Sequence, residues 1–355
     1  MFRNTVPLCF LPNGTMVVYH CGHLKLIREG IVVKSIYIPM SIKERLGGYS
    51  RLATRLLRLG VRSAISLDDE HIVYSIGNML YEVNLTNGEV SKGWCFKERI
   101  RPLIFTKVKS IYNFENGIYF GGYLVNMDKS SVNIYRRINV DQWEVVYTFQ
   151  QGAINHVHNV VTDPYRRCLW IFTGDFDEAA AIWKVTDNFR KVERVVCNDQ
   201  KYRGCVAYAL SEGLLYATDA PFAENFIYLM NPETFETKLL FPLHGSCIYG
   251  CQWKDNYVFS SSVEGDGRNT SKLEFLFGRK RGAGIKDDYV HMYKGNLKDG
   301  FQEVYKEKKD RMSFLFQYGV FKFPAGVNNS SSLFFQPVAT NKNDCALMCF
   351  CEDNK

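Results

Sequence analysis

The chain has 355 residues, 46% hydrophobic and 14% aromatic, with 44 basic and 37 acidic side chains for a formal charge of +7. That is ample apolar material for a core, and the mild positive balance favours anionic partners; no nucleic-acid partner is expected. No stretch approaches 18 consecutive apolar residues, which excludes a transmembrane helix at this level, and MFRNTVPLCFLPNG at the start has no run long enough for a signal peptide.

Residues 6–38 read as short strands broken by PNG and REG turns. The segment 41–60, SIKERLGGYSRLATRLLRLG, then interrupts the β pattern. Arg51, Arg55, Arg58 and Arg62 recur at helical spacing with Leu52, Leu56 and Leu59 between them, which predicts a basic helical insertion. Its first reading is a surface helix packed on a blade with solvated arginines; its second is an anion or acidic-membrane contact.

Five phrases follow in the same order of strand, turn and strand: VRSAISLDDEHIVYSIG, VKSIYNFENGIYFGG, HVHNVVTDPYRRCLWIFTGD, RGCVAYALSEGLLYATD and YGCQWKDNYVFSSSVE. They are anchored on Arg62, Lys109, His156, Arg203 and Tyr249, at intervals of 47, 47, 47 and 46 residues. Several continue into a second hairpin, as in NMLYEVNLTNGEVSKGW and NFIYLMNPETFETKLLF. Four short strands at such a period predict the blade of a β-propeller. The expected architecture is one all-β domain over residues 1–355, with four-stranded antiparallel blades around a central channel. Seven blades are expected, or six if the terminal segments pair into one. The polar, glycine-rich segment 265–288, GDGRNTSKLEFLFGRKRGAGIKDD, predicts a basic loop inserted in the sixth blade. Residues 313–351 supply a partial last blade, and pairing of the two ends would close the ring.

In such blades the strands alternate direction outward, so the start of the innermost strand shares a face with the end of the second. Repeat phase therefore gathers Arg62, Lys109, His156, Arg203 and Tyr249 at one channel mouth. Asp175, Asp219 and Glu264 end second strands on that face, and Arg279 and Arg281 of the loop leaving Glu264 hang over it. His156 and His158, two apart on a strand, point the same way; they serve as general acid and base or as rim donors to loop carbonyls. Tyr249 and Glu264 pair as an activated nucleophile, or Tyr249 packs on the channel wall. Asp175 and Asp219 either join the site or cap tight turns, and Arg203 meets a substrate carboxylate or a neighbouring acid. No cofactor is expected; a divalent metal at His156 and His158 would need Asp175 or His244 as a further ligand.

Eleven cysteines without compact spacing suit reduced thiols and a cytoplasmic location. Cys345, Cys349 and Cys351 have C-x3-C-x-C spacing, which is not a common zinc pattern. The GRKRGAG run lacks the Gly-Lys-Ser/Thr ending of a phosphate loop, and no G-x-S-x-G, H-E-x-x-H or dinucleotide fingerprint occurs.

The run NIYRRINVDQWEVVYTFQQGAINHVHNVVTDPYRRCLWIFTGD resembles blades of sialidase-type propellers with BNR (Asp-box) repeats. Of their S-x-D-x-G-x-x-W turn, Trp143 is kept, while Arg136, Ile138 and Val140 stand at the Ser, Asp and Gly places. DQKYRG, ATDAPFAENFIYLMN and SSSVEGD are similar to glycosidase-like propellers, so the resemblance spans about 130–265. It implies an arginine clamp on a carboxylate, a Tyr–Glu nucleophile and an Asp acid, with Arg62, Arg203, Tyr249 and Glu264 compatible in type. Resemblance to propeller polysaccharide lyases implies acid/base roles for His156 or His158 and Tyr249, with Arg203 neutralising a uronate. The expected function is thus a glycoside hydrolase or polysaccharide lyase acting on an anionic carbohydrate. Arg62, Lys109, Arg203, Asp219, Arg279 and Arg281 would bind it. The alternative is a non-catalytic propeller holding a glycan or protein partner on the same face.

Overall fold

In the computed structural model, which describes residues 2–96, 100–266 and 277–352, seven antiparallel sheets follow one another along the chain. They form blades 1–7 at residues 5–37, 61–95, 101–149, 156–196, 204–243, 247–308 and 320–351. Blades 1, 2, 4 and 5 each contain four strands joined as successive hairpins; blade 3 has the same four with its inner strand in two pieces, and blade 6 adds the short Val327–Asn328 strand parallel to its inner strand. Blade 7 has three among the described residues: Val320–Lys322, Ser332–Val338 and Met348–Cys351. The seven-bladed all-β expectation therefore holds.

Burial explains why these segments are strands. The second strand of blade 4, Cys168–Gly174, is buried at every position because neighbouring blades cover both its faces. The outermost strand of that blade, Lys191–Val196, faces water on one side and is nowhere fully buried. The core is accordingly spread as wedges between adjacent blades. Val73 and Leu80 of blade 2 meet Ile118 and Phe120 of blade 3, and Trp170 and Phe172 of blade 4 meet Leu214 and Tyr216 of blade 5. Each fully buried aliphatic or Phe side chain contributes about 1.5–3 kcal/mol. Trp143, the one retained residue of the Asp-box pattern, opens the outer strand of blade 3 and packs 5.2 Å from Phe120. At the hairpin tips, Gly14 of PNG and Gly88 of TNG both have φ of 81°, which an L side chain adopts only with strain.

The ring closes without a shared sheet. Phe2 bridges Leu347, the Thr5 N–H donates to the Cys345 carbonyl at 3.1 Å, and the Phe10 N–H donates to the Ala325 carbonyl at 2.9 Å. Phe10 and Met16 of blade 1 share an apolar wedge with Leu347 of blade 7.

The insertion after blade 1 is two short helices, α1 (Ile42–Gly47) and α2 (Arg51–Leu57). Ser41 and Glu44 form a capping box on α1, and Ser50 caps α2. Solvated arginines were expected here, and Arg55 corrects that reading. It is fully buried, donates from Nε to the Phe316 carbonyl at 2.8 Å, and pairs through Nη1 with Asp310 and with Asp344 at 2.9 Å. The cause is position: α2 lies over the seam where blades 6 and 7 meet blade 1.

The segment 265–288 leaves and returns as a stem, with Gly265 bridging Arg281 and the Asp266 N–H donating to the Lys280 carbonyl at 2.8 Å. Residues 267–276 of that segment lie outside the described residues. Among the described residues no helix is long and apolar enough to cross a membrane. All eleven cysteines are free thiols. Cys345 is buried beside Asp344 whereas Cys349 and Cys351 are exposed, so the three do not meet around one point.

Candidate functional site

The inner strands of five blades carry a β-bulge at the same place. Register slips at Leu8, Arg62, His158, Cys205 and Ile248, each the extra residue between two paired neighbours. A bulge bends its strand and re-aims a side chain. Here it gathers residues near the mouth where inner strands begin. Structural equivalence therefore links Arg62 with His158 and Cys205, two residues out of phase with the repeat read from sequence.

At this mouth, under α2 and against blades 7, 1, 2 and 3, lies a cavity of about 140 Å³. Arg58, Arg62, Arg101 and Lys322 line it together with Tyr249 and Gln336, and no carboxylate is among its described lining residues. Arg58 comes from the left-handed end of α2, at φ 51°. Arg62 donates to the Arg58 carbonyl at 3.3 Å, while its buried Nε has no partner. Burial, and then the charges of Arg101 and Arg58, pull the Arg62 pKa down to about 10. Like charges are crowded here, and the nearby Glu44 carboxylate offsets that of Arg62 only in part.

Beside the cavity a second group is buried between blades 3, 4 and 5. His156 opens the inner strand of blade 4, its Nδ1 facing the Leu124 carbonyl at 2.8 Å and its ring centred 4.4 Å from that of Tyr123. His158 Nδ1 faces the Gly204 carbonyl at 3.3 Å, and the two Nε2 atoms are 2.9 Å apart. Asp175 Oδ1 lies 3.4 Å from His156 Nε2, 3.6 Å from His158 Nε2 and 2.9 Å from Arg203 Nη2. Arg203 also reaches Asp219 at 3.5 Å, which accepts from the Cys205 thiol at 3.3 Å.

Burial opposes the charge of Asp175, but His156, His158 and Arg203 hold its carboxyl well below the usual carboxylate range. Burial raises the Asp219 carboxyl above that range against the pull of Arg203, and it pulls His158 down to about 4. Glu264 is also buried and its pKa raised by burial, with its Oε1 taken by the Ser262 hydroxyl at 2.5 Å.

The sequence-derived site thus divides. His156, His158, Asp175, Arg203 and Asp219 form one contact network, and Arg62 and Tyr249 line the cavity next to it. The expected Tyr249–Glu264 pair is not formed: Tyr249 lies under the Lys322 ammonium, 5.9 Å from its ring, and Glu264 instead faces Tyr318, whose pKa burial and then Glu264 raise. Arg203 is held by Asp175 and Asp219 and is not free to clamp a substrate.

Lys109 is a correction. The inner strand of blade 3 is broken into Arg101–Pro102 and Thr106–Val108, so Lys109 follows the end of that strand and lies at the opposite face, near Leu67 and Asn116. Arg101 pairs with Tyr123 and takes the mouth position instead. Arg279 is exposed, and Arg281 pairs with Asp288 at 3.2 Å in the stem of the insertion. Arg58, Arg101, Lys322, Tyr123 and Cys205 were not picked out as site residues. Helical spacing marks Arg58 as part of the insertion; Arg101, Lys322, Tyr123 and Cys205 stand in no pattern that marks a site.

The other mouth differs in chemistry. Its cavity, about 560 Å³, is lined by Thr106, Val160, Tyr208, Gln252 and other uncharged residues with Lys107 the one described charge.

No protein-family model matches the chain, and no curated protein matches it in sequence. Its likeness to solved structures is one of fold. The extracellular domain of BT3049, a putative hybrid two-component system of B. thetaiotaomicron, gives a TM-score of 0.59 at 12% identity, covering 99% of this chain and 39% of that one. The β-propeller domain of Cps50 (Swd1) from Myceliophteria thermophila gives 0.56 at 8% identity, covering 99% and 98%. A chain of the Mitotic Checkpoint Complex gives 0.56 at 8% identity, covering 98% and 89%. None of the three is named as a sialidase or Asp-box protein. By structure, then, the chain is similar to seven-bladed propellers at very low identity, and its chemistry rests on its own residues.

Proposed function

We propose that the protein binds the charged group of an anionic carbohydrate in the basic cavity at the channel mouth. One observation carries this reading: Arg58, Arg62, Arg101 and Lys322 converge on a small cavity with no carboxylate among its described lining residues. Crowding like charges in a half-buried site is unfavourable unless an anion offsets them. The volume of about 140 Å³ suits one carboxylate, sulfate or phosphate with part of a sugar ring, the rest of the ligand lying outside. Phe176, 37% exposed and stacked on Phe222 at 6.0 Å, offers an apolar platform for a sugar face beyond Asp175. The resemblance of about 130–265 to sialidase-type propellers agrees with a sugar rather than a bare anion.

Non-catalytic binding is the simpler form of this reading, because His156, His158 and Glu264 are buried and none of them lines the basic cavity. One observation favours a catalytic form. Tyr249 shares the cavity with Arg62 and Arg101, so a uronate held by the arginines would have its α-proton within reach of a phenol base, as in β-elimination. Arg62 and Arg101 would then do what sequence reasoning gave to Arg203.

Calorimetric titration with glucuronate, galacturonate and sulfated or phosphorylated monosaccharides, against neutral glucose, tests the proposal. Binding of the acidic sugars alone, weakened by salt and by Arg101→Ala, is the expected result. Equal binding of glucose, or indifference to Arg101→Ala, sinks it. Appearance of an unsaturated uronide product that is lost in Tyr249→Phe selects the catalytic form.

A further inference from the structure

We propose that His156 Nε2, His158 Nε2 and Asp175 Oδ1 bind a divalent metal ion, with zinc the best match. The inference begins with the outer sides of the two rings. His156 Nδ1 faces the Leu124 carbonyl and His158 Nδ1 faces the Gly204 carbonyl. A carbonyl only accepts, so each Nδ1 carries its ring's proton. Both Nε2 atoms are then bare lone pairs, and they stand 2.9 Å apart. Two facing lone pairs repel unless a cation lies between them. A carboxylate oxygen completes the set on the same side.

The three atoms are spaced as ligands. The triangle with sides of 2.9, 3.4 and 3.6 Å has its centre about 1.9 Å from each corner, so an ion slightly out of its plane sits at the ~2.0–2.1 Å distances of zinc. An Nδ1–H held by a main-chain carbonyl is also the usual outer support of a metal-bound imidazole. Local structure is shaped to this end. The bulge turns His158 inward, and Gly174 leaves the room its ring occupies, since a Cβ there would meet Nε2 at 2.7 Å. Asp175 keeps its side chain 23% exposed, so a water or ligand atom can complete the coordination.

Charge agrees. Arg203 is shared by Asp175 and Asp219, so it does not neutralise both when both are ionised. The other histidine cluster is a useful contrast. There His244 Nδ1 and His291 Nε2 both face Asp287, at 2.8 and 3.0 Å, and His291 Nδ1 faces Glu303. Every facing atom is a carboxylate oxygen and no lone pairs of two rings meet, so protons on the rings satisfy these contacts.

This proposal does not depend on sugar binding. Its test is metal content and direct titration. Full-length protein is stripped with chelator, checked for retained folding by circular dichroism, and titrated calorimetrically with Zn²⁺. One ion per chain at micromolar or tighter affinity, with a rise in Tm, is the expected result. His156→Gln and, separately, Asp175→Asn should weaken binding at least tenfold, whereas His291→Gln and Cys349→Ser should not. Co²⁺ loaded into the same protein should show a ligand-field spectrum without thiolate charge transfer, a readout that stands even if a histidine variant misfolds. No stoichiometric binding by the folded, stripped protein overturns the proposal, as does full binding in His156→Gln or a thiolate band with Co²⁺. In that event a proton, not a metal, lies between the two rings.

Discussion

Arg55 on α2 and Asp344 in blade 7 are 289 residues apart in sequence and 2.9 Å apart in space, with side chains 1% and 2% exposed. Together with Asp310 they fasten the helical insertion after blade 1 to the last two blades. Removing one partner of such a buried pair leaves the other charge desolvated and unmatched, at a cost of about 3–5 kcal/mol. Arg55→Ala should therefore lower the urea-unfolding free energy by that order. A loss under about 1 kcal/mol would mean that water replaces the guanidinium and that the contact does not fasten the ring.

Asp310 gives the same seam a pH dependence. Burial works against its charge, but the hydrogen bond from Arg55 and the Lys309 ammonium hold its carboxyl below the ordinary value. The native state thus takes up its proton at lower pH than the unfolded chain does. The contribution is present above the unfolded aspartate pKa of about 4 and is lost as pH falls through the lower native value. Unfolding curves collected from pH 7 down to 3 should steepen in loss below about pH 4. Asp310→Asn should flatten that acid limb; an unchanged limb would assign it to other carboxylates.

Gly174 and His158 share one space, so Gly174→Ala forces the imidazole aside. Overpacking of this kind costs about 1–3 kcal/mol. The Tm should fall accordingly. Because position 174 lacks a left-handed φ, the effect would come from the ring contact alone, and His158→Ala introduced alongside should relieve part of it.

Charge neutralisation in the basic cavity separates binding from stability. Arg62→Met should weaken an acidic sugar by about 10–100-fold, from the ~1.5–3 kcal/mol of a hydrogen bond to a charged group. Without ligand the same variant should be no less stable than the parent, because Arg62 sits against Arg58 and Arg101 with its Nε unpartnered. Lys109→Ala, on the far face, should change neither quantity. An effect of Lys109→Ala on sugar affinity equal to that of Arg62→Met would move the site to the other mouth.

The propeller was legible because four short strands repeating at one interval leave few other ways to bury an alternating apolar pattern. The interval placed His156, Arg203 and Asp175 at one end of the channel correctly. It failed at Lys109, where a broken inner strand delays blade 3 and gives the mouth position to Arg101. It also missed the bulges, since an extra residue such as Cys205 leaves no mark in composition and yet decides which side chains turn inward. Residue type showed that Arg203 would meet an acid or a substrate carboxylate, whereas helical spacing pointed to a solvated Arg55. Which acids they find depends on contacts between blades, as with Asp344 for Arg55, and no local pattern encodes those.

Closure by contact has a last consequence. Phe2 bridges Leu347, so the chain just before its first described strand lies beside the chain just before its last. A circular permutant that joins the chain near Phe2 to the chain beyond Leu347 and opens fresh ends at an exposed hairpin tip such as Asn87–Gly88 should keep the same ring. Which blade is synthesised first is, for this architecture, an accident of where the loop is cut.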